Sequence, residues 1–223
     1  MEIEIKLGPL TMQQVGDIFC DIKRLPVNGP ARAIKMQTTY FDTPEGFFRQ
    51  HRQTLRLRQE DDRFVCTFKT AAAGISRLEL DCEAKTIEEG AALLAAHPDL
   101  PESARQALAG GVFLPTCGAR FTRQVRLCRV EDTVFELCAD MGRLFNGQRT
   151  QELREVELEL VEGDPAVLEA VARQLMEAYG VTRCYYGHLH SDSHKLAVEG
   201  LHGGIEYRLA AADFVDFTPI RVL

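Results

Sequence analysis

The hexapeptide EVELEL at residues 155–160 alternates carboxylate side chains with aliphatic ones. Two other segments, EIEIK at residues 2–6 and LRLR at residues 55–58, repeat the alternation with acidic or basic groups. Because side chains point to the two faces of a strand in turn, each segment predicts a strand with one apolar and one charged face. Like charges that share a face raise the free energy unless a ligand compensates them. Acidic and basic strands together therefore predict a site for a metal ion and a polyanion.

The composition is that of an ordinary globular protein. The chain has 223 residues, of which 45% are hydrophobic, enough for one large or two small domains with a sizeable core. Its net charge of −7 argues against nucleic acid as a partner, since proteins that bind nucleic acid are usually basic. We find neither an apolar run of about 20 residues, as a membrane span needs, nor a signal-peptide pattern. The 7 cysteines are scattered without a CxxC pair, which indicates buried free thiols, and we expect a cytoplasmic location.

Hydrophobic spacing and turn residues predict eight strands and four main helices. The predicted strands are residues 2–7, 33–41, 54–59, 64–70, 76–83, about 119–130, 133–140 and 153–161. The predicted helices are residues 10–25, capped by Thr11, 87–96, 102–109, and 165–179, capped by Asp164. Because most connections are short, we predict an α+β fold, an antiparallel eight-stranded β-barrel with its charges inside and flanking helices. We assign residues 1–199 to one domain and residues 200–223 to a C-terminal tail.

Several segments follow one another in an order that is typical of a known family. They are EIEIK at 2–6, TYFDTP at 39–44, LRLR at 55–58, TFK at 67–69, RLELD at 77–81, Arg123 with Arg126, Glu136 with Asp140, and EVELELVEGD at 155–164. This series resembles the CYTH family, also called the triphosphate tunnel metalloenzyme superfamily. The resemblance extends from residue 2 to about residue 196, so the domain at residues 1–199 is expected to be CYTH-like.

The resemblance implies a charged tunnel in which basic residues bind a triphosphate and acidic residues bind Mg²⁺ or Mn²⁺. The implied substrate-binding residues are Lys6, Arg56, Arg58, Lys69, Arg123, Arg126 and Lys195. The implied metal ligands are Glu2, Glu4, Asp140, Glu155, Glu157 and Glu159, with Glu79, Asp81 and Glu136 assisting. The implied catalytic residues are Glu2, Glu4 and Lys69, where Glu2 or Glu4 orients the attacking water. These residue types suit the chemistry, because guanidinium groups bind phosphate oxygens in pairs and these metals prefer oxygen ligands.

The segment SDSHK at residues 191–195 departs from the family pattern. The family commonly has a Ser-Lys pair followed by an arginine three residues later, but here Asp192 replaces the lysine. Lys195 can take the place of the final basic residue. His188, His190 and His194 lie nearby, and we favour surface or capping histidines over metal ligands. This departure removes one expected phosphate contact and leaves open how tightly the triphosphate binds and which substrate it is.

We predict metal-dependent hydrolysis of inorganic triphosphate, that is, a tripolyphosphatase. The sequence has no tryptophan and no aromatic cluster that we can assign to a nucleobase or thiazolium pocket, which favours the smallest substrate. Three alternatives remain, namely a class IV adenylate cyclase, a thiamine triphosphatase, and a non-catalytic module that binds polyphosphate or nucleotide. The expected partner is a triphosphate-containing small molecule rather than nucleic acid or a membrane, and a homodimer is left open.

Overall fold

The computed structural model describes residues 3–71, 77–186 and 198–209, which form five helices and eleven strands. The strands are β1 (Glu4–Leu7), β2 (Arg32–Asp42), β3 (Gln53–Glu60), β4 (Arg63–Ala71), β5 (Arg77–Glu83), β6 (Leu114–Val130), β7 (Thr133–Asn146), β8 (Arg149–Glu162), β9 (Arg183–Tyr186), β10 (Gly200–His202) and β11 (Ile205–Leu209). The helices are α1 (Met12–Phe19), α2 (Phe47–Gln50), α3 (Ile87–Ala95), α4 (Glu102–Ala109) and α5 (Pro165–Ala178).

The predicted α+β class with a mostly antiparallel sheet is confirmed. The eight predicted strands are β1 to β8, and β9 to β11 add three short ones. Both predicted helix caps are present, since the side chain of Thr11 accepts a hydrogen bond from the backbone N–H of Gln14 and that of Asp164 accepts one from Ala166. Helix α1 ends at Phe19, before the predicted residue 25. The physical reason is Asp21, whose carboxylate binds the N–H and guanidinium of Arg24 and so stabilises a turn instead of a helix.

The chain divides into two compact units. Unit 1 comprises the described residues of Met1–Ile34, Thr122–Met141 and Leu153–Leu223. Its strands are hydrogen-bonded in the order β10-β11-β9-β1-β8-β7-β6. Leu7, Leu137, Leu158, Leu168 and Leu175 are fully buried, and they join the apolar face of these strands to helices α1 and α5 in one core.

Unit 2 comprises the described residues of Lys35–Phe121 and Gly142–Glu152. Its strand order is β6-β2-β3-β4-β5, and β3 pairs antiparallel with both β2 and β4. Leu55 and Phe68 of the sheet pack against Ala91 of α3 and Leu108 of α4. The charged side chains of β3 and β4 therefore lie on the face away from this core.

The end of the described chain continues the sheet of unit 1. Strand β11 pairs in parallel with β9 and antiparallel with β10. The domain boundary after residue 199 stays a prediction, and residues 210–223 of the predicted tail lie outside the described part. None of the helices in the described part is long and apolar enough to cross a membrane.

Candidate active site

Strands β1 and β8 bring the two acidic segments of unit 1 side by side. They pair antiparallel, with Glu4 opposite Glu159 and Lys6 opposite Glu157. The apolar residues at the alternate positions of both strands, such as Leu7, are buried in the core. Because the apolar face is buried, the charged side chains all lie on the opposite face. The alternation of EIEIK and EVELEL thus produces one charged face built from two strands.

Arg123 of β6 is the centre of the ion pairs on this face. Its Nε and Nη2 atoms donate to the two carboxylate oxygens of Asp140 at 2.9 and 2.6 Å, and Nη2 also donates to Glu157 at 2.6 Å. Lys6 donates to the other oxygen of Glu157 and lies 3.5 Å from a carboxylate oxygen of Glu4. Asp140 and Glu157 are only 1% and 3% exposed. Their charges are therefore compensated inside the protein rather than by water.

A carboxylate cluster, defined here as Asp140, Glu155 and Glu157, offers oxygen atoms that all lie within 4.8 Å of one another. The pKa of Glu155 is raised to about 7, mainly by burial; the charge of Lys6 opposes this rise, and the charges of Glu157 and Asp140 add to it. Burial also raises the pKa of Asp140, although the hydrogen bonds from Arg123 act in the opposite direction. The face thus holds carboxylates whose negative charges destabilise one another.

The donor set of the carboxylate cluster suits a hard divalent cation. Glu4 and the cluster provide four carboxylates, and Lys6 and Arg123 provide two cations, so two negative charges remain when all groups are ionised. Carboxylate oxygens are the ligands that Mg²⁺ and Mn²⁺ prefer. The residues present therefore fit the metal that the family resemblance implies.

Unit 2 carries a second charged face on strands β3, β4 and β5. Lys69 lies opposite Glu79 and binds it at 2.8 Å, and Arg56 lies 3.8 Å from the same carboxylate. Arg58 and Lys69 project from the same face of the β3–β4 hairpin, because Arg56 is paired with Thr67 and the side chains alternate from there. The predicted pairing of these two strands as a hairpin is confirmed.

Residues 1–185 of the chain match the model of the CYTH domain family. The chain belongs to the CYTH family. An inorganic triphosphatase of Haemophilus influenzae is 29% identical to it over 134 residues, which are 56% of this chain and 36% of that protein. The match thus spans little more than a third of the length of this relative. A solved structure of HpAC1 from Hippeastrum, assigned as an adenylyl cyclase and described as having a dominant triphosphatase activity, superposes with a TM-score of 0.57. It is 20% identical, and the superposition covers 82% of this chain and 89% of that one, which supports the fold.

In this CYTH protein Arg126 lies apart from the ion pairs of Arg123. The two residues are three positions apart on β6, so they point to opposite faces of the strand. Arg126 is 5% exposed, and its guanidinium carbon lies 5.1 Å from the ring centroid of Phe19. Its Nε and Nη2 atoms have no hydrogen-bond partner among the described residues. The structure does not bring Arg126 to the carboxylate cluster, and its substrate-binding role stays a prediction.

Other predicted residues of the CYTH protein have local partners of their own or lie outside the described part. Glu136 of β7 pairs with Arg32 at 3.5 Å. Asp81 accepts a hydrogen bond from the Thr67 hydroxyl at 2.5 Å in unit 2. Glu2, Lys195, Asp192 and the three histidines His188, His190 and His194 lie outside the described residues.

Two residues near the charged faces have no role in the sequence-based prediction. Tyr185 of β9 is directly opposite Lys6 in the register and so shares its face. Thr67, which stands in the TFK segment, orients Asp81 through its hydroxyl. In β9, buried Cys184 is followed by partly exposed Tyr185, as the alternation of a strand requires. The strand has only four residues, which are too few to show this alternation in the sequence alone.

Proposed function

We propose that this CYTH protein hydrolyses inorganic triphosphate in a metal-dependent reaction. The observation that carries the proposal is the charged face of unit 1, where Lys6 and Arg123 stand among four carboxylates. Such a face supplies cations for phosphate oxygens and oxygen ligands for a metal within a few ångströms of each other. The name of the Haemophilus influenzae relative, inorganic triphosphatase, supports the same reaction.

The proposed roles follow from the charges of the side chains. Asp140, Glu155 and Glu157 would hold Mg²⁺ or Mn²⁺, with Glu4 and Glu159 on the same face. When bound, such an ion neutralises phosphate oxygens and lowers the pKa of a bound water. Lys6 and Arg123 bind phosphate oxygens in this proposal, and Glu2 or Glu4 orients the attacking water. Arg56, Arg58 and Lys69 are proposed to bind further phosphate oxygens, as the family resemblance implies.

A charged face of this kind is suited to phosphoryl transfer. The reaction depends mainly on the positioning of the phosphate chain and on the stabilisation of its negative charge. Arg123 contributes a guanidinium charge beside the carboxylates proposed to hold the metal, since it lies 2.6 to 2.9 Å from oxygens of Asp140 and Glu157.

A panel of substrates tests the proposal. Phosphate release is measured from tripolyphosphate, pyrophosphate, ATP and thiamine triphosphate in Mg²⁺ and in Mn²⁺, and cyclic AMP is measured in the ATP reactions. We expect metal-dependent release that is fastest from tripolyphosphate. Glu83→Gln removes a carboxylate from an exposed pair with Arg63 and serves as the control variant that keeps activity.

Each alternative function has its own outcome in this panel. Formation of cyclic AMP, with tripolyphosphate acting only as an inhibitor, would identify a cyclase. Fastest release from thiamine triphosphate would identify a thiamine triphosphatase. Binding of tripolyphosphate without turnover in either metal would identify a non-catalytic module.

A further inference from the structure

Both buried carboxylates of the charged face have their two oxygens bound by cations of the same chain. Asp140 receives Nε and Nη2 of Arg123 at 2.9 and 2.6 Å. Glu157 receives Nη2 of Arg123 at 2.6 Å on one oxygen and Nζ of Lys6 on the other. The groups proposed to bind a metal and the groups proposed to bind phosphate therefore bind each other in this structure.

These contacts affect how a metal ion can bind. Because the guanidinium of Arg123 and the ammonium of Lys6 already lie against the oxygens of Asp140 and Glu157, a divalent ion that approaches either carboxylate meets positive charge at the oxygens it requires.

We infer that Arg123 and Lys6 exchange partners when the substrate binds, leaving the carboxylates of Asp140 and Glu157 to the metal ion and binding phosphate oxygens instead. This inference rests on the proposed function. It makes the binding of metal and of triphosphate interdependent. A metal ion alone competes with two cations for the carboxylates, and a triphosphate alone competes with two carboxylates for the cations. When both bind, the metal compensates the carboxylates that Lys6 and Arg123 leave, and the phosphate oxygens compensate these two cations, so the two ligands increase each other's affinity.

The first experiment measures Mn²⁺ binding without any phosphate compound. Mn²⁺ is titrated into wild type, Arg123→Gln and Arg63→Gln at pH 8, and binding is followed by the loss of the free-ion signal in electron paramagnetic resonance. We expect Arg123→Gln to bind Mn²⁺ about 5- to 100-fold more tightly than wild type, within the usual range of coupling between two ligands. Arg63→Gln, which removes an arginine from an exposed pair with Glu83, should bind Mn²⁺ as wild type does. Equal or weaker binding by Arg123→Gln would overturn the inference.

A second variant covers the case in which Arg123→Gln does not fold without metal. The Lys6 side chain is 38% exposed, so Lys6→Gln is better tolerated, and it too should bind Mn²⁺ more tightly than wild type. Circular dichroism in chelator establishes that each variant is folded before titration. Mn²⁺ affinity in Lys6→Gln that is unchanged or reduced would count against the inference in the same way.

The reciprocal experiment measures triphosphate binding without metal. Tripolyphosphate is titrated calorimetrically into wild type, Glu157→Gln and Glu83→Gln in the presence of a chelator. Glu157→Gln releases Lys6 and one donor of Arg123, so we expect it to bind tripolyphosphate several-fold more tightly than wild type, while Glu83→Gln behaves as wild type. Unchanged or weaker binding by Glu157→Gln would contradict the exchange of partners.

The results also separate this inference from the proposed function. Hydrolysis by wild type, combined with unchanged Mn²⁺ affinity in Arg123→Gln and Lys6→Gln, rejects the exchange and leaves the proposed function in place. Tighter Mn²⁺ binding by these variants, combined with no hydrolysis of tripolyphosphate by wild type, rejects the proposed function and keeps the exchange.

Discussion

Glu157 connects most of the charged groups on the face of unit 1. It accepts hydrogen bonds from Lys6 and Arg123, and its carboxylate lies within 4.8 Å of ligand atoms on Asp140 and Glu155. A neutral amide at this position keeps the size of the side chain but removes one charge from the carboxylate cluster. The substitution Glu157→Gln therefore tests the effect of the charge separately from the effect of packing.

Glu157→Gln should weaken metal binding far more than it perturbs folding. We expect the metal affinity in the presence of tripolyphosphate to fall at least about tenfold, because the affinity for such cations follows the number of charged ligands. Activity measured over a range of Mn²⁺ concentrations checks this, with Glu83→Gln as the control. Activity equal to that of wild type at every metal concentration would remove Glu157 from the metal site. The same measurement on Glu159→Gln tests the neighbouring position on β8.

Arg58 and Lys69 test the charged face of unit 2. Loss of a charged hydrogen bond to phosphate costs about 2–5 kcal/mol, which corresponds to about 30-fold to several-thousand-fold in kcat/KM. We expect this range for Arg58→Ala and Lys69→Ala, and a substantial loss for Arg58→Lys, since lysine cannot form the two parallel hydrogen bonds of a guanidinium. Arg63→Ala, at the tip of the same hairpin, is the control. Steady-state constants near those of wild type for both alanine variants would show that this hairpin does not bind substrate.

The kinetic constants of Lys69→Ala also report its role. A lower kcat at saturating substrate is expected if Lys69 contacts the transferred phosphoryl group, as its predicted catalytic role requires. A higher KM with an unchanged kcat would mean that it only anchors the phosphate chain.

At the scale of elements, helix α3 packs on strand β4 of unit 2 through Gly90. A Cβ atom built on Gly90 would collide with Cβ and Sγ of Cys66, which is fully buried. Gly90 is therefore needed for the close approach of the helix rather than for an unusual backbone angle. Gly16 of α1 is the opposite case, because a Cβ atom there meets nothing within 4 Å.

Gly90→Ala should destabilise the protein although alanine favours helix formation by up to about 1 kcal/mol over glycine. We expect a net loss of about 1–3 kcal/mol in the free energy of unfolding, because the collision forces the helix or the strand to move. Gly16→Ala should instead raise the stability by up to about 1 kcal/mol. Urea unfolding of both variants checks the pair, and equal changes in the two would show that α3 has room to accept a methyl group.

The end of helix α1 is tied to helix α5 by Asp21. Its carboxylate binds the guanidinium of Arg24 at 2.7 Å and the hydroxyl of Tyr179 at 2.8 Å. Burial alone would raise the pKa of Asp21, but the hydrogen bonds from Arg24 and Tyr179 lower it to about 2. An aspartate in an unfolded chain has a pKa of about 3.9, so this group stabilises the fold above that pH and loses its effect as the pH falls towards 2.

Asp21→Asn should lower the free energy of unfolding at pH 7 by roughly 1–3 kcal/mol, the usual value for hydrogen bonds to a charged group. The difference from wild type should be constant above about pH 5 and become smaller at pH 3, since protonation of the unfolded wild type then removes part of its advantage. Urea unfolding at pH 7 and pH 3 measures both quantities. Asp17→Asn, an exposed position on helix α1, is the control. A difference that stays constant down to pH 3 would exclude this role of the Asp21 charge.

At the scale of the whole molecule, metal binding is linked to stability because only the folded chain brings the carboxylates of unit 1 together at one site. We expect the melting temperature in Mn²⁺ to exceed that in chelator. At a Mn²⁺ concentration of about 100 times the Kd, the gain is about 2.7 kcal/mol, which corresponds to roughly 5–10 °C for a chain of this size. Thermal unfolding followed by circular dichroism measures the shift, and Glu157→Gln should show less of it. Identical melting temperatures in Mn²⁺ and in chelator would mean that the folded protein has no such site.

The sequence by itself determined the strands, their faces and the family. The alternation in EIEIK, LRLR and EVELEL predicts strands with one charged face, and β1, β3 and β8 have that face. Thr11 and Asp164 likewise identify the beginnings of two helices. These features are readable because the period of a strand and the chemistry of a helix cap depend on residues within a few positions of each other.

Only the tertiary structure decided which charges meet. Arg123 binds Asp140 and Glu157, 17 and 34 positions away, while Arg126 on the same strand faces Phe19 instead. Tyr185 shares a face with Lys6 only because β9 pairs with β1. Such contacts depend on strand order and register, which are set when the apolar faces of distant segments are buried together. The sequence shows the period of each apolar face, but it does not show which other segment packs against that face. The pairing of the basic with the acidic groups in unit 1 therefore could not be predicted from the sequence.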